Sequence, residues 1–419
     1  METYDYLLNI AIILLSTKVL GLLTRKFQMP QVVGALLAGL LLGPAALNIL
    51  KQTDLINELA EIGVIILMFS AGLETDIQGL KKAGKASFVI AMIGVIVPLI
   101  GGYALAAFFN QQGYLVSDAQ GSIFLQNMFI GVILTATSVS ITVETLREMG
   151  KLTTNVGNAI LGAAIIDDIL GIVALTIITS VSDPSVKLFT VLAKIVAFFI
   201  FAAVAGYIFH KLFRMWTESY NKDLRRFIIV SFVFCLVMSY AAERFFGVAD
   251  ITGAYIAGLM IAGTQSSHYV SKRFDTLSYM LLSPIFFASI GLKVVLKDMN
   301  TTLIVFAVLL VLVAVITKVI GCGLGALACK YTKTEALQIG VGMVSRGEVA
   351  LIVAAKGNQL GLMSSDLFGP VVIVVVITTI IAPVLLKMAF RMKAQEEKTH
   401  VEDHLMADRE EEHYQYKIK

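Results

Sequence analysis

Residues Gly157 to Thr176 read GNAILGAAIIDDILGIVALT, and the fold is decided by how this stretch is understood. It is apolar over about 20 residues, the length that crosses a bilayer as a helix, except that Asp167 and Asp168 stand side by side in its middle. Ionisable side chains at that depth are expensive and mark ion or proton pathways. Neighbouring residues on a helix point about 100° apart, so one carboxylate can face a water-filled cavity while the other faces a second helix. Two like charges repel unless a proton or cation intervenes. The pattern therefore suits one ion carrier and one tethered partner.

The rest of the 419-residue chain is of the same kind, 57% hydrophobic and 15% charged, with a mean hydropathy of +0.83. That composition excludes an ordinary soluble domain and implies an all-α polytopic membrane protein with the lipid bilayer as its surroundings and no nucleic-acid partner. Cutting at charged and turn-rich breaks gives about thirteen apolar segments, most near the length needed to span the hydrocarbon. Residues 1–392 form one membrane domain, and residues 393–419 form a short charged tail. A nucleotide-binding domain needs a glycine-rich strand-turn-helix unit on the order of 100 residues, which the tail does not offer. The three cysteines, Cys235, Cys322 and Cys329, lie in or beside apolar segments and suggest neither disulfides nor a thiolate site. The N-terminus carries acidic residues where a signal peptide carries basic ones, so it is expected to be a retained first span.

Lys and Arg fall on every second connection, beginning with Arg25 and Lys26, then Lys81, Lys82 and Lys85, then Arg147 and Lys151. The intervening loops, such as NQQGYLVSDAQG and GNQLGLMSSD, are poor in positive charge. The positive-inside rule then places the N-terminus outside and the C-terminus in the cytoplasm, in a plasma membrane. Sliding the chain by 219 residues lays GALLAGLLLG (Gly34 to Gly43) on GAYIAGLMIA (Gly253 to Ala262), and the next span keeps the offset. An odd number of spans separates the copies. The second copy must therefore run the opposite way, giving two inverted six-helix repeats, an arrangement typical of secondary transporters.

In such folds the ion site is built where helices break near the midplane. The fifth segment is interrupted by Thr135, Ala136, Thr137 and Ser138, and the twelfth by Ser345, Arg346, Gly347 and Glu348. Two crossing broken helices are expected there. A carboxylate in a partly desolvated site can trade a proton for a metal cation near neutral pH. Asp168 and Asp167, with hydroxyls from Thr137 and Ser138, would offer hard oxygen ligands to an alkali cation. Lys318 is a lone charge deep in the eleventh segment, and Asp167 is its obvious partner. Arg346 and Glu348 are expected to brace the twelfth segment against the fifth. Glu74 and Lys293 read as solvated rim positions, and Glu144 as a local ion pair. The histidines show no ligand spacing.

With these residues in hand, the chain resembles the monovalent cation:proton antiporter family that includes NapA-type sodium/proton antiporters and Kef-type potassium efflux proteins. The likeness runs over about residues 5–392. It rests on PQVVGALLAGLLLGP (Pro30 to Pro44), EIGVIILMFSAGLE (Glu61 to Glu74), LTATSVSIT (Leu134 to Thr142), AAIIDDILGI (Ala163 to Ile172), GAYIAGL (Gly253 to Leu259), SPIFFASIGL (Ser283 to Leu292) and SRGEVALIVA (Ser345 to Ala354). The resemblance implies a homodimer in which an ion-transport core moves against a dimerisation domain, in an elevator-like cycle. It implies that Asp168 carries the ion and that Asp167 pairs with Lys318. It also implies that the cargo is sodium and protons, with lithium or potassium as further candidates, and no cofactor. The Asp-Asp pair and the short tail depart from the Kef pattern, so electrogenic sodium/proton exchange is expected over Kef-like potassium/proton exchange. A cation channel is the rival reading. An intramembrane aspartyl protease is excluded, because its two aspartates come from different helices and here they are consecutive.

Overall fold

The computed structural model describes residues 4–27, 29–111, 122–182, 188–219, 225–264, 266–294 and 301–392. Every regular element among them is helical. With no water in hydrocarbon to satisfy backbone N–H and C=O groups, an apolar chain closes those bonds within each segment, and the helix does this. The tail at 393–419 lies outside the described residues.

The chain opens with α1 (Asp5–Lys26), α2 (Gln31–Leu42), α3 (Asp54–Glu74) and α4 (Ile77–Gln111). An interrupted pair follows, α5 (Ile123–Ile133) and α6 (Val139–Glu148), then α7 (Asn155–Ser182), α8 (Leu188–Ser219), α9 (Arg225–Ala241) and α10 (Asp250–Ala262). Next come α11 (Ser267–Leu277), running through a π-helical turn into α12 (Ser283–Leu292), and α13 (Thr301–Ala328). A second interrupted pair, α14 (Lys333–Gly342) and α15 (Glu348–Gln359), precedes α16 (Phe368–Met392). Among the described residues, nine helices are long and apolar enough to cross a membrane, by length and composition.

Local signals set several ends. Thr53 caps α3 by accepting from the Ile56 N–H. Thr332 and Glu335 form a reciprocal capping box at the start of α14. Pro98 sits inside α4 without ending it, as happens in apolar helices whose freed carbonyls find other donors. The expected second segment, 30–49, is cut short because Gly43 and Pro44 stop α2 at Leu42. Lys81, Lys82 and Lys85 were expected in a connection, yet they lie on the first turns of α4, a 35-residue helix longer than the hydrocarbon requires. Lys272 and Arg273 lie on α11.

The helices pack in two sets. In the first, α4 contacts α5, α7 and α13, α14 contacts α7 and α13, and α15 contacts α5. Buried Phe129, Phe306, Leu310, Val353 and Val371 join α16 to this set. In the second, α3 packs on α10 and α12, α2 on α1 and α12, and α9 on α10. α6 reaches from the first set to α2 and α3, and α8 touches both α7 and α10. The second set is held by two close crossings. A Cβ on Gly72 would run into the backbone of Tyr255, Gly258 and Leu259, and one on Gly258 into that of Phe69, Gly72 and Leu73. At the other crossing, a Cβ on Gly39 would strike Ala288 and one on Gly291 would strike Leu36 and Leu40.

Gly258→Val should therefore lower the melting temperature or abolish folded yield. Gly84→Ala, with nothing within 4 Å of the added carbon, should leave both unchanged, as read by fluorescence-detected size exclusion after heating.

Candidate ion-binding site

The two helix breaks touch. Residues 134–138 separate α5 from α6, and residues 343–347 separate α14 from α15. The Ser138 N–H donates to the Ser345 carbonyl at 2.7 Å, and Ser345 Oγ donates to the Ser138 carbonyl at 2.9 Å. Thr142 Oγ1 donates to the Gly342 carbonyl at 2.7 Å and lies 2.8 Å from Ser345 Oγ. A hydroxyl carries one proton, so Ser345 Oγ donates either to the Ser138 carbonyl or to Thr142 Oγ1, not to both at once. Thr137 Oγ1 donates to the Met343 carbonyl at 3.4 Å, and Ser138 Oγ lies 3.3 Å from Ser140 Oγ. Thr137 and Ser138 are both buried, in the wall between the breaks.

Lys318, on α13, reaches this crossing with no exposed surface. Its Nζ donates to Asp167 Oδ1 at 2.8 Å, to the Gly94 carbonyl of α4 at 2.9 Å and to the Thr135 carbonyl of the first break at 2.9 Å. An ammonium has three donors, and all three are used. A buried ion pair is tolerable only when its remaining hydrogen bonds are met. The break supplies part of that need on the lysine's side, because Thr135 gives its carbonyl to the lysine rather than to a further helical turn, while Asp167 Oδ2 is buried without a hydrogen-bond partner among the described residues.

Arg346 is also fully buried. Its guanidinium donates to the Ala136 carbonyl, in the first break, and to the Ala314 carbonyl on α13 at 3.3 Å. Thr379 Oγ1, on α16, donates to the Arg346 carbonyl. Asp167 lies within electrostatic range of this arginine. Glu348 opens α15, but its side chain is outside the described residues.

Asp168 follows Asp167 on α7 and is 9% exposed. Three residues on, and so on the same face, a Cβ added to Gly171 would meet nothing within 4 Å. Among the described residues no three His, Cys, Asp or Glu gather as a metal site, so an ion here would depend on carbonyl, hydroxyl or water oxygens besides the carboxylates.

There is a second polar region. A cavity of about 690 Å³ is lined by Lys18, Glu74, Glu144, Arg147, Glu148 and Asp275, among others. Glu74, expected as a solvated rim residue, pairs instead with Arg147 at 2.8 Å, while Lys293 is exposed. The partners are 73 residues apart in sequence, and neither neighbourhood carries a sign of the other.

The transmembrane sodium/hydrogen exchanger family profile matches residues 11–392. The chain belongs to this family. As a sodium/hydrogen exchanger family member it is a transporter and not an enzyme. It is 37% identical over 391 residues to the Na(+)/H(+)-K(+) antiporter GerN of Bacillus cereus, covering 93% of this chain and 97% of that one. It is 37% identical over 383 residues to a Na(+)/H(+) antiporter of Enterococcus hirae, covering 90% and 96%. In fold, this family member is similar to the solved sodium proton antiporter MjNhaP1 of Methanocaldococcus jannaschii, with a TM-score of 0.65 at 18% identity, covering 93% and 99%.

Removing one partner of a buried ion pair leaves the other charge uncompensated, at a cost of about 3–5 kcal/mol, whereas replacing both with apolar or neutral groups is often close to neutral. Lys318→Met alone should therefore lower thermal stability much more than Lys318→Met combined with Asp167→Asn. Equal melting temperatures for the two variants would show that the pair is not the determinant.

Proposed function

We propose that the protein exchanges sodium for protons across the plasma membrane, with Asp168 as the shared carrier. The observation that carries this reading is the Asp167–Lys318 pair, fully buried at the meeting of two helix breaks, with Asp168 the next residue on the same helix. Family membership and the names of the relatives support it. One relative's name includes potassium, so potassium belongs in the test beside lithium.

Coupling follows from competition. A carboxylate holds a proton or a sodium ion, not both, so a proton must leave Asp168 before the cation binds. Thr137, Ser138 and nearby carbonyls complete the oxygen shell. Arg346 and Glu348 are proposed to brace the second interrupted segment against the first. The loaded core, the first helix set, then moves against the second, which serves as the dimerisation domain of a homodimer. If Asp167 also releases a proton when Lys318 is displaced, two protons move per cation and exchange is electrogenic.

The inverted repeat is part of the proposal, with thirteen spans if each interrupted or bent helix pair counts once. A shift of 219 residues carries 5–26 onto 224–245 and 31–42 onto 250–261. Helical chain runs over Arg225–Phe246 and Asp250–Ala262 there. The same shift carries Gly39 onto Gly258 and Gly72 onto Gly291, so the two glycine crossings are mates. Basic residues at the ends of α1, α6 and α16 favour a cytoplasmic C-terminus.

Proteoliposomes with an internal pH dye test the function. Adding sodium should move protons, and Asp168→Asn should abolish the signal. Acidifying the medium should raise the apparent KM for sodium, since protons occupy the shared carboxylate. Asp167→Asn is expected to retain exchange that no longer responds to an imposed potential. Electrogenic exchange in that variant would remove the second-proton role, and no cation-driven proton movement at all would favour a channel.

A further inference from the structure

The last turn of α6 is tied to three helices of the other set. Arg147 donates Nε at 3.1 Å and Nη2 at 2.8 Å to Glu74 Oε1 at the end of α3, and Nη2 also to Asp275 on α11. The next residue, Glu148, accepts from the backbone N–H groups of Gln31 at 2.7 Å and Val32 at 3.2 Å, the first two residues of α2. Those N–H groups have no intrahelical partner, and the helix dipole favours an anion there. At its other end, α6 starts from Ser138, which is stitched to the second break. Nine residues, or about 14 Å of helix, thus connect the crossing of the breaks to the far set of helices.

The two kinds of ion pair differ in exposure. Lys318 and Asp167 have none, whereas the side chains of Arg147, Glu74 and Asp275 are 18%, 29% and 36% exposed. Partly hydrated pairs are screened and exchange readily with water, while a dry pair does not. The boundary between the sets is therefore closed by the kind of pair that can open. Arg147 presents a planar fork of donors that serves both carboxylates at once, which a lysine cannot reproduce. Glu144 and Lys18 line the same cavity, with Lys18 over the Tyr279 ring at 4.0 Å.

We infer that Arg147 is a positioning residue for exchange: together with Glu148 it forms a clasp that holds the first helix set against the second in one access state and must release for the carrier to switch. This rests on the exchange proposed above. Removing the clasp takes away the preference for that state. The apparent cation affinity should then fall on one face of the membrane and rise on the other.

The test uses the full chain in oriented vesicles. Hydrogen–deuterium exchange at the Gln31 and Val32 amides, which Glu148 covers, reads the opening of the clasp. Arg147→Gln should speed exchange there by about threefold or more and shift the apparent sodium KM in opposite directions on the two faces. Arg147→Lys should recover part of both effects. If Arg147→Gln fails to fold, Glu74→Gln, which removes the acceptor and keeps the arginine, is read in the same way. Unchanged amide exchange, or an unchanged KM on both faces, overturns the inference. Flux that survives Asp168→Asn would instead overturn the exchange reading, while the amide exchange would still report on the clasp.

Discussion

The structure depends on a lysine ammonium held entirely out of water. Burying Lys318 would be prohibitive unless its donors were met, and its acceptors come from three places: a carboxylate on α7, a carbonyl on α4 and a carbonyl in the first break. That requirement draws four elements to a single point. It also explains why the first break is there at all, since an unbroken helix would have turned the Thr135 carbonyl to its own N–H ladder.

A second constraint follows from the breaks. Each interruption frees backbone groups inside apolar surroundings, where an unmet group costs several kcal/mol. The two breaks meet this need in each other, through Ser138, Thr142 and Ser345, and through Arg346 reaching the Ala136 carbonyl. Polar backbone, hydroxyls and two buried cations are thereby concentrated around the Asp167–Asp168 pair, which is the environment needed for a site that handles charge.

Much of this was legible in the residues. A lone lysine and a double aspartate in apolar segments have few other partners, so their meeting could be inferred from cost alone. The breaks announced themselves by clusters of Thr, Ser, Gly and Arg, though the second covers Met343 to Gly347 and leaves Glu348 helical. The Thr135 acceptor was not legible, because a backbone carbonyl has no residue signature, whereas the Gly94 carbonyl is the one that Pro98, four residues on, leaves without an N–H donor. Arg147 read as a marker of sidedness, and its pairing with Glu74 could not be seen across so long a separation in sequence. Lys81, Lys82 and Lys85 misled for another reason: charge marks where hydrocarbon ends, whereas a helix continues into water for as long as its backbone bonds allow.

The paired glycine crossings bear on how such a chain can vary. At Gly72 against Gly258, and at Gly39 and Gly291 against their neighbours, backbone meets backbone, and the contact is specified by which residue faces inward. Inserting or deleting one residue in α3 or α10 turns the face beyond it by about 100° and brings a side chain where only hydrogen fits. Length is thus frozen along these helices, while side chains facing lipid remain free to drift among apolar types. Divergence in this half of the molecule should proceed by substitution, with gained or lost residues gathering in the connections between helices.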